Sequence, residues 1–80
     1  MSTSVVKPEP LAVEISFDSD ALHVVLADGR EVSAPLTWFP RLAAATVAQR
    51  SNWRFIGRGV GIHWPEVDED VSVESLLAMR

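Results

Sequence analysis

The chain has 80 residues, no cysteine, a net charge of −4 and a sequence pI of about 4.9. A chain of this length forms one domain that buries only about 60–65% of the surface its unfolded form exposes. The lack of cysteine excludes a disulfide framework and a thiolate zinc site. The longest uncharged apolar run, residues 42–48, is too short to cross a bilayer, and no secretory leader opens the chain. A cytoplasmic protein is therefore expected.

Charge changes sign along the chain. Residues 1–29 carry one base and five acids, residues 30–58 five arginines and one acid, and residues 59–80 one base and five acids. The net charges of these three segments are therefore −4, +4 and −4. Such segments attract one another across the fold, or simply remain solvated, or present a basic face to an acidic partner.

The first half of the chain predicts an antiparallel meander. Two prolines and no periodicity indicate a loose leader over residues 1–10, followed by a single domain over residues 11–80. Apolar residues alternate at Val13, Ile15 and Phe17, and again at positions 22, 24 and 26, which predicts two half-buried strands. The Asp28-Gly29 pair predicts a type I′ hairpin into a third strand over residues 30–34.

The middle of the chain predicts a broken helix. Thr37 is expected to cap its first part, and Pro40 is tolerated in the first turn, where no N–H is needed. Thr46 and Gln49 match a capping box, so a break is expected near residues 45–46 and a second helical part to about Asn52. A single helix over residues 38–50 is the alternative.

The last third predicts two more strands and a short helix. Residues 53–57 alternate as a fourth strand, and the glycine-rich corner after it favours a hairpin over a phosphate loop, because no helix follows. Pro65 cannot donate to a strand ladder, so a fifth strand should end at Trp64. Ser72 is expected to cap a helix over residues 73–79. The expected fold is α+β: an antiparallel sheet of about five short strands, one broken helix in the middle and a short C-terminal helix.

Three motifs in this order resemble a bacterial family filed as domain of unknown function 2442. They are Pro-Leu-x-Trp-Phe-Pro-Arg-Leu at residues 35–42, Gln-Arg-x-Asn-Trp at 49–53, and Gly-Ile-His-Trp-Pro-x-x-Asp-Glu-Asp-x-Ser-Val-Glu-x-Leu-Leu at 61–77. The resemblance covers about residues 13–78. It implies a small α+β domain, often encoded beside another small protein in an arrangement similar to toxin–antitoxin or regulatory pairs. No established activity comes with it.

His63 and the acids after it are the chemically most suggestive group. A metal or acid–base site would use His63 with Asp68 or Asp70, but a single imidazole lacks the two or three that catalytic zinc usually takes. Acid–base catalysis would also need a substrate pocket. We therefore expect no catalytic residues, no metal and no cofactor, and interpret one set of residues as structural: His63, Trp64, Pro65, Asp68, Asp70 and Ser72.

Within this set, each acid is expected to differ in role. Asp68 should pair with Arg41 or Arg50, Asp70 should stand at the start of the last helix, and Glu69 should be exposed and free to meet a partner. Trp64 should be buried.

Tryptophan and arginine are enriched at binding hot spots, so a second set of residues is interpreted as partner-binding. It comprises Trp38, Arg41, Arg50, Trp53, Arg54 and Glu69. The acidic balance argues against direct nucleic-acid binding. The leading hypothesis is a non-enzymatic interaction module, the antitoxin-like or regulatory member of a bacterial two-protein pair, with a protein partner and with homo-oligomerisation left open. The alternatives are a minimal metal or acid–base site at His63, Asp68 and Asp70, and an acidic inhibitor of a nucleic-acid-binding protein.

Overall fold

A computed structural model describes residues 10–78 as an α+β fold with six strands and three short α-helices. The expected leader falls almost wholly on residues 1–9, which lie outside the described residues. The elements, in chain order, are β1 (Ala12–Phe17), β2 (Ala21–Leu26), β3 (Glu31–Pro35), a 3₁₀ turn (Leu36–Trp38), α1 (Pro40–Ala43), α2 (Val47–Ser51), β4 (Arg54–Ile56), β5 (Gly61–Trp64), β6 (Glu69–Ser72) and α3 (Val73–Ala78).

The first sheet is the predicted meander, with strand order β1-β2-β3 and antiparallel pairing throughout. Leu22, Val24 and Leu26 are buried, as their alternation predicts. In β1 the register shifts between Ala12 and Glu14, so Ala12 is buried and Val13 is 54% exposed. The expected burial of Val13 is wrong, because a bulge reverses the alternation of side chains on either side of it.

The β2–β3 turn forms at the predicted place but with a different geometry. The Gly29 amide donates to the Leu26 carbonyl (2.9 Å), and Gly29 has a φ of +94° while Asp28 stays at negative φ. A type I′ turn needs positive φ at both central residues. The observed turn therefore closes one residue earlier and ends in a glycine bulge, with the Asp28 carboxylate accepting from the Arg30 amide (3.0 Å).

The expected sheet of five strands is wrong: residues 10–78 form two sheets of three strands each. The second sheet has the order β4-β5-β6, all antiparallel, and β5 ends at Trp64 as expected. The additional strand, β6, contains Glu69 and Asp70, two of the three consecutive acids at residues 68–70 (the acidic run). Aspartate and glutamate are depleted in strands, so composition favoured a turn there, whereas pairing with β5 holds Glu69–Ser72 extended.

The helical region also departs from the expected broken helix, because α1 and α2 are separate short helices preceded by the 3₁₀ turn. Thr37 caps neither: the cap positions are Pro35 and Phe39, and no side chain caps either of them. Pro40 does occupy the first turn of α1. The capping box is confirmed, with the Gln49 amide donating to Thr46 Oγ1 (3.1 Å) and the Thr46 amide to Gln49 Oε1 (2.9 Å). Ser72 caps α3 as expected, accepting from the Ser75 amide (3.0 Å).

Both sheets contribute to a single apolar core. Its most enclosed members come from β2, α1, β5 and α3, and Trp64 is its largest side chain, with none of its surface exposed. The Phe17 ring of the first sheet meets the Trp64 indole of the second edge-on at 6.1 Å between centroids. Among residues 10–78, no helix is long and apolar enough to cross a membrane.

Candidate functional site

A groove of about 340 Å³ lies between β1 and α2. Ile15 and Phe17 line it from the strand, and Val47 and Trp53 line it from the helix and the residues just after it. Val47 is 77% exposed, the largest exposed fraction among the big apolar side chains of the described region. The volume of the groove falls at the lower end of the range for ligand-binding clefts, and the walls of the groove are mainly apolar.

The strand that forms one wall of the groove has an open edge. The Asp18 amide donates to the Ala21 carbonyl (3.1 Å), so residues 18 and 21 are a hydrogen-bonded pair of the β1–β2 ladder. Such pairs alternate with pairs whose N–H and C=O groups point away from each other. With Phe17 opposite Leu22 and Ile15 opposite Val24, the backbone groups of Ile15 and Phe17 point away from β2. No strand pairs with that side of β1 within residues 10–78.

Arg50 also lines the groove, but its guanidinium is bound to α1. Its Nε donates to the Leu42 carbonyl (2.8 Å) and its Nη2 to the Ala43 carbonyl (2.9 Å), so it satisfies the last carbonyls of that helix. The Arg50 carbonyl in turn accepts the Trp64 indole N–H (3.0 Å). These contacts give Arg50 a structural role at the end of α1, which differs from the pairing with Asp68 that the sequence left open for it.

A chain of hydrogen bonds at one end of the groove was missed by sequence reasoning. Asp18 Oδ1 accepts from the amides of Asp20 (2.8 Å) and Ala21 (2.7 Å), and Asp18 Oδ2 lies 2.7 Å from His23 Nε2. His23 Nδ1 lies 2.7 Å from Ser33 Oγ. These hydrogen bonds lower the pKa of Asp18 to about 2; the bond from His23 has the largest effect, and the bonds from the two amides come next. Asp18 is thus a firmly ionised group at the end of β1.

Ser33, His23 and Asp18 are the three residue types of a catalytic serine–histidine–aspartate triad. Their surroundings, however, differ from those of an active site. The three side chains lie on the outer face of the first sheet, where His23 and Asp18 are one-third and more than half exposed. A triad of that kind works in a site with a substrate cleft and donors for an oxyanion. Of the three, only Asp18 lines the groove. The signal that would have found this chain is the strand register, which sets His23 opposite Ser33.

His63 lies on the outer face of the second sheet, between Arg54 of β4 and Asp70 of β6. His63 Nδ1 contacts Asp70 Oδ1 across the two strands. Asp70 is therefore a cross-strand partner in β6. The expectation that it stands at the start of α3 is wrong. Asp68 does not join them, and no group of three or more histidine or acidic side chains suited to a metal occurs within residues 10–78.

The expected pairing of Asp68 with Arg41 is confirmed, and the expected exposure of Glu69 is wrong. Arg41 does meet Asp68, but its Nη1 donates to the backbone carbonyl at 2.5 Å while the carboxylate lies 3.8 Å away and is 94% exposed. The contact depends on the backbone shape at Asp68, where φ is +51°, more than on the carboxylate. Glu69, expected to be exposed, is half-buried in β6 opposite Trp64.

The six partner-binding candidates do not form one surface. Only Arg50 and Trp53 share the groove. Trp38 is 43% exposed on the 3₁₀ turn, Arg41 bridges to Asp68, and Arg54 lies in the row with His63. Sequence reasoning did not identify the strand wall of the groove, because Ile15 and Phe17 were explained as core residues.

An α+β domain with two antiparallel sheets and an open edge beside a groove is the class of protein that this geometry defines. The family model described as "Protein of unknown function (DUF2442)" matches residues 12–80, and the chain therefore belongs to that family. It is similar to a crystallised protein of unknown function from Rhodospirillum rubrum ATCC 11170, with 30% identity and a TM-score of 0.76. The similarity covers 89% of this chain and 88% of that one. No curated protein matches the chain.

Proposed function

We propose that this chain is a small non-enzymatic interaction module that binds a protein partner through the groove between β1 and α2. The observation that carries the proposal is the coincidence of an apolar groove with a strand edge that no other strand of residues 10–78 pairs with. An exposed edge is a template for pairing with another chain. A strongly exposed apolar side chain such as Val47, at the rim of a groove, is the kind of feature that a partner buries.

The finer proposal is that the module is the antitoxin-like or regulatory member of a bacterial two-protein pair and acts in the cytoplasm. Its support is the small size of the chain and the pairing that the family resemblance implies. The net charge of −4 adds a physical reason, because an acidic module associates fastest with a basic partner. An acidic inhibitor of a nucleic-acid-binding protein uses the same complementarity.

Affinity capture with matched variants tests the proposal. The tagged chain is incubated with lysate of the organism that encodes it, beside Val47→Asp and the control Val60→Asp. Val60 is also an exposed valine (39%) but lines a separate depression near Ser72 and Glu74. We expect a stoichiometric partner that Val47→Asp loses and Val60→Asp keeps.

Two results of this capture experiment count against the proposal. Loss of the partner with Val60→Asp alone would move the site to the other depression. Capture of no stoichiometric protein by the parent chain under any growth condition would remove the interaction function. Circular dichroism of both variants separates lost binding from lost folding.

A further inference from the structure

Of the four sheet edges within residues 10–78, the edge of β1 is the best suited to accept another strand. The β3 strand packs against α3, β4 has three residues, and β6 continues directly into α3. In β1 the Ala12 amide already donates to the Gly59 carbonyl (2.7 Å), which ties the start of the strand to the β4–β5 turn. The open part is therefore the stretch around Ile15 and Phe17 that faces the groove.

The backbone along this stretch selects the conformation of what binds. Ile15 and Phe17 present N–H and C=O groups at the spacing of a strand ladder, and an extended peptide satisfies them by forming one more strand. Every pairing in the two sheets is antiparallel, and antiparallel ladders are slightly more stable per residue. On this basis we infer that the partner adds an extended segment to β1 as a fourth, antiparallel strand of the first sheet.

The side chains of β1 determine the sequence of that segment. Residues placed opposite Ile15 and Phe17 point to the same face as these side chains, toward Val47 and Trp53, and so are apolar. Residues opposite Glu14, Ser16 and Asp18 point to the outer face. There the two outer positions meet the carboxylates of Glu14 and Asp18, and Asp18 keeps its negative charge while it accepts hydrogen bonds from His23 and two amides. The segment therefore has the pattern base–apolar–polar–apolar–base. This inference rests on the proposed function, because it describes the chemistry of the partner proposed there.

Charge also decides between a basic peptide and a second copy of this chain. From Leu11 to Gly29 the chain carries Glu14, Asp18, Asp20 and Asp28 but no lysine or arginine. A second copy paired antiparallel about Ser16 sets the acidic ends of the two strands opposite each other, and like charges directly opposite destabilise a strand pair. Arg50 does not compensate, because its guanidinium is bound to the α1 carbonyls.

The first test titrates the full chain with a fluorescent nine-residue peptide whose centre is Lys-Val-Thr-Val-Lys, flanked by serines. We expect saturable binding that weakens as salt rises. Glu14→Lys should weaken it roughly tenfold, since an attractive cross-strand pair becomes a repulsive one. A peptide with glutamates in place of both lysines should bind this variant better than it binds the parent chain.

Glu31→Lys is the matched control for Glu14→Lys. Glu14 and Glu31 flank Val25 on the same outer face, but Glu31 lies on β3, at the far side of the sheet. Both substitutions change the net charge by the same amount. Equal loss of affinity in the two variants would mean that only the overall field attracts the peptide, and the added strand would be rejected.

A second test examines the backbone ladder directly. In the inferred register the two valine amides of the peptide donate to β1, and the threonine amide points away. N-methylation of the valines should abolish binding, and N-methylation of the threonine should leave it intact. The reverse pattern, or equal damage by both, would overturn the register.

The outcomes also separate this inference from the proposed function. If Val47→Asp releases the natural partner but the basic peptide fails to bind, the groove remains the interaction site and the added strand is wrong. Sedimentation equilibrium of the chain alone tests whether a second copy of the chain occupies the groove instead. A dimer that Val47→Asp dissociates would put a second copy in the groove and overturn the peptide assignment.

Discussion

Trp64 is the residue on which both sheets depend. It is fully buried, its indole N–H donates to Arg50, and its ring contacts Phe17 across the two sheets. We expect Trp64→Ala to reduce the free energy of unfolding by about 3–5 kcal/mol, which is enough to unfold a domain of this size. Chemical denaturation measures the loss, with Trp38→Ala, at a partly exposed site, as the control with a small effect. A folded Trp64→Ala protein that has lost only partner binding would instead make Trp64 a recognition residue.

Asp68 contributes through its backbone conformation more than through its charge. Because its φ is +51° and its carboxylate is nearly fully exposed, Asp68→Asn should change the free energy of unfolding by less than about 0.5 kcal/mol. Asparagine tolerates the left-handed region, whereas a β-branched residue does not. Asp68→Val should therefore cost about 1–2 kcal/mol. Thermal melts of the two variants compare these effects, and a larger loss in Asp68→Asn would restore the carboxylate–arginine pair as the main interaction.

Asp18 makes stability depend on pH in the acid range. Its folded-state pKa of about 2 lies below the ordinary value of 3.8, so its contribution is complete above pH 4 and is lost as the pH falls toward 2. Asp28, whose pKa is lowered chiefly by the hydrogen bond from the Arg30 amide, acts in the same direction. We expect Asp18→Asn to lose less stability than the parent between pH 4 and pH 2, as measured by urea midpoints. Parallel curves for the two proteins would show that Asp18 is not responsible.

At the scale of elements, the approach of β1 to the β4–β5 turn requires a glycine. A Cβ on Gly59 would lie 2.4 Å from the Ala12 carbonyl oxygen, and its φ is +112°. Gly29 has a similar φ of +94° but open space around it. Gly29→Ala should therefore cost about 1–2 kcal/mol for the left-handed backbone alone. Gly59→Ala should cost clearly more, because backbone atoms must also move apart. Equal destabilisation of the two variants in denaturant melts would show that the two sheets can separate at this point without penalty.

The elements also differ in how far sequence determines them. The β2 strand follows from its alternation, and α2 from its capping box, since both signals lie within a few neighbouring residues. The β6 strand has no such signal. Its acidic residues favour a turn or a helix start, and it is extended because β5 offers it backbone partners.

At the scale of the whole molecule, the two sheets share one core and should unfold together. The core joins residues from both sheets with residues of the 3₁₀ turn and α1 between them and of α3 after them. We expect far-ultraviolet circular dichroism and tryptophan fluorescence to report the same denaturation midpoint, as in a two-state transition. The three tryptophans lie at and after the helical region, whereas the first sheet contains none. Separate midpoints would mean that the first sheet unfolds independently.

By itself, the sequence determined the α+β class, the family, the meander, the capping box of α2 and the burial of Trp64. Each of these depends on local periodicity, on turn chemistry or on motif order. Only the tertiary structure decided that the strands divide into two sheets, that Asp70 meets His63, and that β1 keeps an open edge beside α2. These features depend on which strands pair and on contacts between residues far apart in the chain, such as Phe17 and Trp64. No local pattern encodes how such segments approach one another, because long-range packing and hydrogen bonding override local preference.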